Sequence, residues 1–172
     1  MVSFEFLAIV LSVLGLAASI TYYAIILNNA NKTQRMQLET RQTQMFMQIY
    51  NQFQSSDLRK ARRIIMTHQW QDLDSFSGLF DPQIPENLEN YDALSTIISF
   101  YEGIGALVKE GFLDIRWVAL LMAGATLSLW EKMAPIASEL RAQLNQPRWA
   151  SEWEYLYDQL VKYIKEHPEL AT

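Results

Sequence analysis

Residues Phe6–Leu27 read FLAIVLSVLGLAASITYYAIIL, 22 positions without a charged side chain. A helix rises about 1.5 Å per residue, so this stretch is about 33 Å long, enough for a hydrocarbon core of about 30 Å. Tyr22 and Tyr23 fall near its C-terminal end, where amphipathic rings favour the membrane interface. A cleaved signal peptide would carry Lys or Arg ahead of the run and end it at a small-residue site. Here Glu5 precedes the run, no basic residue does, and the apolar residues continue past Ala17, Ala18 and Ser19. The stretch therefore reads as a transmembrane signal anchor over residues 1–27. Within it Ala8, Ser12, Gly15 and Ser19 form one stripe at 4-3-4 spacing. Such stripes let helices approach closely in lipid, which makes these four candidates for helix association, although small residues are common in any membrane helix.

Lys32, Arg35 and Arg41 follow the span closely, whereas no Lys or Arg comes before it. The positive-inside rule then expects the N-terminus outside the cell membrane and the remainder in the cytoplasm. The overall charge of −5 is unevenly spread. Residues 28–66 carry seven basic and two acidic side chains, and residues 67–172 carry seven basic and sixteen acidic ones. Lys32, Arg35, Arg59, Lys60, Arg62 and Arg63 are candidate contacts for anionic headgroups. The competing reading is that the run from Arg59 to Arg63 coats the solvated face of a helix.

Neither Pro nor Gly occurs between Leu16 and Gly78, so nothing stops the first helix at the membrane surface. We expect it to continue as a polar stalk over residues 28–45 and to enter a compact helical domain over residues 46–172. Phe46, Ile49, Tyr50 and Phe53 bring the helix into that core, and Ser55-Ser56-Asp57 breaks it and caps the next helix, Leu58–His68. Residues 69–90 hold Gly78, Pro82 and Pro85 and read as an irregular connection with at most one short helix. A helix follows with Leu94, Ile97, Ile98, Tyr101, Gly105 and Val108 on one face, capped by Asn90 or Asp92 and ended by Gly111. Asp114 caps the next. Trp117–Trp130, 14 uncharged residues, is too short for a bilayer and reads as a fully buried helix. Pro135 either kinks it or opens a new one, and a last helix covers about residues 151–166. The expected fold is all-α.

The chain has no cysteine, which removes disulfides, zinc-thiolate sites and thiol nucleophiles together. His68 and His167 are too few for a usual metal site, and neither has the Glu three residues before it that a di-iron centre needs. Gly103 and Gly105 begin like a dinucleotide fingerprint, but no strand precedes them and the third glycine is missing. Glu102, Asp114 and Glu131 lie among apolar residues and are the only candidates for acid–base work; pairing with Arg116 or Arg141 is the more ordinary role. The basic run 59–63 lacks interleaved aromatics, which argues against nucleic acid. No catalytic or metal-binding constellation is visible, and no cofactor is implied.

The order Glu39-Thr40-Arg41-Gln42, Met45–Tyr50, Phe100–Gly111, Trp130-Glu131-Lys132, Arg141 and Trp153–Tyr157 resembles a family of short prokaryotic membrane-anchored proteins whose domain has no assigned function. The resemblance runs from about residue 39 to 160. It implies an architecture rather than a reaction, and marks Glu102, Gly105, Gly111, Trp130, Glu131 and Arg141 as side chains of interest. The expected function is a membrane-tethered interaction or regulatory module with an unidentified protein partner. The alternatives are a small oligomeric membrane effector assembled through its anchor, and an enzyme using Glu102 or Glu131.

Overall fold

The computed structural model describes residues 3–170. Among them are seven α-helices and no strand: α1 Phe4–Phe53, α2 Ser56–Thr67, α3 Leu73–Phe80, α4 Leu88–Lys109, α5 Ile115–Leu121, α6 Ala123–Gln143 and α7 Ser151–Glu166. The chain divides into two compact units, Met1–Gln44 and Met45–Thr172. The described side chains of the first are all exposed, and its helical residues belong to α1, which among the described residues is the one helix long and apolar enough to cross a membrane. Ser12 and Ser19 donate their hydroxyls to the carbonyls of Ala8 and Gly15, each at 2.8 Å, and a Cβ at Gly15 would meet nothing. The small-residue stripe is therefore an open face on this helix.

The second unit is a helical bundle with its own core. Phe46 and Phe53 at the end of α1 are buried, with Leu58, Ala61 and Ile65 of α2 and Ile97, Tyr101 and Ile104 of α4. α4 packs against α2 on one side and α7 on the other, while α5 and α6 close over α7. A chain of aromatic contacts crosses the core. It runs from Trp117 to Phe46 at 5.0 Å, and from Phe53 to Phe100 at 6.3 Å. It then passes from Phe100 to Tyr101 at 5.2 Å and on to Trp153 at 4.9 Å. Pairs of this kind add about 0.5–1.5 kcal/mol each beyond the area they bury.

Helix ends follow the local chemistry of the chain. Ser55 caps α2 by accepting from the Leu58 N–H, and Asp114 caps α5 through the Arg116 N–H. Asp72 and Ser75 form a reciprocal capping box on α3, a helix within what reads from sequence as an irregular connection. Gly111, at φ +72°, ends α4: its N–H reaches the Val108 carbonyl while that of Phe112 reaches Leu107. This is the Schellman arrangement. Asn145, at φ +50°, ends α6 in the same way, with Gln146 bonding Arg141.

Two expectations are corrected. α4 begins at Leu88 and is capped by neither Asn90 nor Asp92. A 3₁₀ turn, Pro85–Asn87, feeds directly into it and supplies backbone acceptors, freeing Asn90 to donate to the Leu79 carbonyl at 3.1 Å. Trp117–Trp130 is not one buried helix either. It breaks at Met122, whose carbonyl accepts from the buried Thr126 hydroxyl at 2.8 Å, and Leu120 and Leu121 remain exposed. Pro135 lies inside α6, which runs unbroken through it.

Gly111 and Gly103 should respond oppositely to alanine. Gly111→Ala forces a Cβ into the left-handed region and is expected to cost about 1–2 kcal/mol. Gly103 is helical and open, so Gly103→Ala should stabilise by up to about 1 kcal/mol in chemical denaturation.

Candidate functional site

Of the residues singled out by sequence, Glu102, Gly105, Trp130 and Arg141 meet at one joint, the start of α7, while Gly111 and Glu131 lie outside it. This helix opens on Ala150, which is left-handed at φ +54° and offers no capping side chain. Glu102, from the middle of α4, takes that role. Its Oε1 accepts from the backbone N–H groups of Glu152 and Trp153, both at 2.8 Å. A carboxylate there satisfies two otherwise orphaned donors and lies at the positive end of the helix dipole. Gly105, one turn further along α4, lets the two helices touch: a Cβ would stand 1.9 Å from the Glu152 carbonyl oxygen. Lys109, one turn beyond, donates to both carboxylate oxygens of Glu152 at 3.0 Å.

Arg141 approaches the same joint from α6. Its Nε donates to the Trp149 carbonyl at 2.8 Å, and its Nη2 reaches Glu154 at 2.8 Å. Trp130 is buried with its ring 5.2 Å from Trp153. Glu131 is exposed and accepts from the Tyr157 hydroxyl at 3.4 Å. The expected pairing of semi-buried carboxylates with arginine holds for Asp114 and Arg116 alone, at 3.9 Å. Glu102 instead binds backbone, because a helix start lacking its own cap presents the nearer donors.

Arg62 stands apart from the other side chains of the basic run, which are exposed. Its guanidinium lies over the Phe53 ring at 4.0 Å, and Nη1 is buried without a hydrogen-bond partner. Arg59 and Arg63 are exposed, and Lys60 reaches Glu89 at 2.6 Å. Arg62 follows Leu58 by one turn, so its stem shares the buried face, a placement the i, i+4 spacing could have signalled. The Tyr101 hydroxyl sits near Arg62 and Thr126 but meets neither in hydrogen-bonding geometry. Burial pushes its pKa up to about 12, partly offset by the charge of Arg62.

Lys132 stands in the stretch Trp130-Glu131-Lys132 but is given no role by the sequence. Its amine donates to the carbonyls of Met66 and His68 at the end of α2 and lies 4.7 Å from the Trp70 ring. Burial lowers its pKa. His68 contacts the Asn90 side chain at 3.1 Å, and no group of metal-ligating residues occurs among the described residues.

A cavity of about 680 Å³ lies away from this joint, between α3, α4 and the end of α6. Its floor is a stripe of α4, Tyr91, Leu94, Ser95, Ile98 and Ser99, and Phe76 and Phe80 of α3 form one wall. No sequence signal marked it, because its residues read as parts of three separate core faces.

A sequence profile of the family described as Domain of unknown function (DUF4760) matches residues 4–160. The match begins well before the resemblance at residue 39 and takes in the apolar helix. No curated protein and no solved structure matches the chain.

Gly105→Ala should cost about 3 kcal/mol or more, since only backbone can move to relieve the clash. Glu102→Ala should cost about 1–3 kcal/mol for two stranded N–H groups, and Glu102→Gln less, because an acceptor remains. Tyr101 gives a pH signature. Its folded pKa lies above its unfolded value near 10, so its contribution is complete below pH 10 and is lost as the pH climbs through about 12. Tyr101→Phe should flatten that alkaline loss by about 2–3 kcal/mol in denaturation measured across the range.

Proposed function

The chain belongs to this family of domains of unknown function, and on that premise we propose that it is a membrane-tethered interaction module without chemistry of its own. The observation that carries the reading is the 22-residue uncharged run inside α1, none of whose side chains is buried. A run so apolar and so exposed is an expensive surface in water and a cheap one in lipid. The N-terminus lies outside and the helical bundle in the cytoplasm, as the basic residues 32, 35 and 41 favour. Glu102, one of the acid–base candidates by sequence, is engaged by two backbone N–H groups, which supports a structural role rather than turnover at that position. Lys32 and Arg35, with the exposed Arg59 and Arg63, are the residues that face anionic headgroups in this reading.

The open small-residue face supports a second reading, in which the anchors assemble and the protein acts on the bilayer as an oligomer. Gly15 has free space around it, so its Cα can touch a neighbouring helix.

The absence of cysteine makes the topology test clean. Ser3→Cys should react with a membrane-impermeant maleimide in intact cells, and Ser138→Cys only after lysis. Labelling of Ser138→Cys in intact cells would overturn the orientation, and release of the protein by alkaline carbonate would overturn the anchor. Gly15→Leu should reduce the detergent-solubilised protein to a monomer if the second reading is right; an unchanged mass would remove its basis.

A further inference from the structure

The groove over α4 has a chemistry that selects its occupant. Its floor residues from Tyr91 to Ser99 repeat at three- and four-residue spacing and cover about 12 Å of helix, the footprint of two turns of another helix. Tyr91 and Leu144 on its rim are exposed, so the site is an open trough rather than an enclosed chamber. An extended partner fits such a shape better than a small ligand, which is usually buried over most of its surface.

Charge then decides the partner's sign. Residues 67–99 contain six acidic side chains and no Lys or Arg; Glu89 is answered by Lys60 and Asp72 caps α3, which leaves Asp74, Asp81, Glu86 and Asp92. Asp81 lines the trough itself. Beside the opposite wall Arg141 is answered by Glu154 at 2.8 Å, which leaves the exposed Arg148, 3.6 Å from a Glu152 already held by Lys109, as the one cation there among the described residues. Phe76, Phe80, Tyr91 and Trp149 add aromatic rings to the lining, and ring faces attract cations.

We infer that this trough docks a basic amphipathic helix of a partner protein, apolar face against Leu94 and Ile98 and cationic flanks toward Asp81 and its acidic neighbours. The inference rests on the reading of the chain as an interaction module and names the partner's chemistry. Partner helices of this kind are recognised by apolar anchors at i, i+3, i+4 and i+7, with charge setting orientation.

The test uses full-length protein in zwitterionic lipid nanodiscs, with Ser95→Cys or Ser99→Cys in the trough and Ser138→Cys as an exposed control outside it. The probe is a short Leu/Lys amphipathic helix carrying a maleimide, with rates normalised to N-ethylmaleimide. The expected result is about tenfold faster coupling at 95 and 99 than at 138, slowed by adding Asp81→Asn and absent for a Leu/Glu helix. Equal rates at all three positions overturn the docking. Equal coupling of the Leu/Glu helix overturns the charge argument. Preferential crosslinking of two Ser95→Cys chains assigns the trough to a second copy, and full protection by hexyltrimethylammonium assigns it to a small cation; either result overturns the proposal. Crosslinking of the wild-type protein in native membranes separates the two levels. If partners are captured while trough rates stay flat, the trough assignment fails and the interaction module stands. If none is captured, the module reading fails first.

Discussion

Two residues one turn apart set the position of α7 along α4. Glu102 holds the first N–H groups of α7 from outside, and Gly105 removes the only atom that would keep the backbones apart. Neither is sufficient alone. Without Glu102, α7 would begin at a left-handed alanine with its donors unmet inside the bundle. Without Gly105, a Cβ would stand 1.9 Å from the Glu152 carbonyl oxygen and force the two backbones apart. Once α7 is placed, Trp153 is delivered between Tyr101 and Trp130, and the aromatic chain across the core can close. Lys109 and Arg141 then grip the same joint from two sides, so α4, α6 and α7 meet at one point.

Polar groups inside the domain follow a consistent division. Those at helix ends replace missing backbone partners: Glu102 at the start of α7, Lys132 at the end of α2, and Arg141 at the carbonyls preceding α7. Each is charge-assisted and has the sign that suits its helix end or the carbonyls it meets. A second group, Arg62, Tyr101 and Trp153, keeps a buried polar atom without a hydrogen-bond partner. Tyr101 stacks on Trp153 and Arg62 lies over Phe53, so packing against ring faces takes precedence there over satisfying the edges. The acidic excess, by contrast, collects over residues 67–99, outside the joint.

Much of the fold was legible along the chain because it is governed by local rules. Ser55, Asp114 and Gly111 act where cap and terminator chemistry places them, and α7 spans Ser151–Glu166 as its periodicity indicates. The misplacements have physical causes of a different kind. Asn90 looks like a cap, but a 3₁₀ turn had already begun the helix and left the side chain to bind α3. The apolar run 117–130 holds Gly124 as its one weak point, two residues past the break at Met122, and α5 and α6 on either side of that break both pack against α7. Arg62 belongs by composition to a solvated face, yet the Phe53 ring gives its guanidinium a flat apolar partner.

The sequence by itself determined the class of the molecule: an apolar helix long enough for a bilayer, an all-helical remainder, and a residue set without thiol or clustered histidine chemistry. These follow from composition and from periodicities read within a few turns. The tertiary structure alone decided what the singled-out side chains do. That Glu102 caps another helix fifty residues away, and that Gly105 is a contact point rather than a loose turn of helix, depends on which helices pack together. The trough between α3, α4 and α6 likewise exists only once three separate stretches are assembled. Local patterns specify which faces are buried, but the partner each face meets is fixed by close packing of the whole bundle.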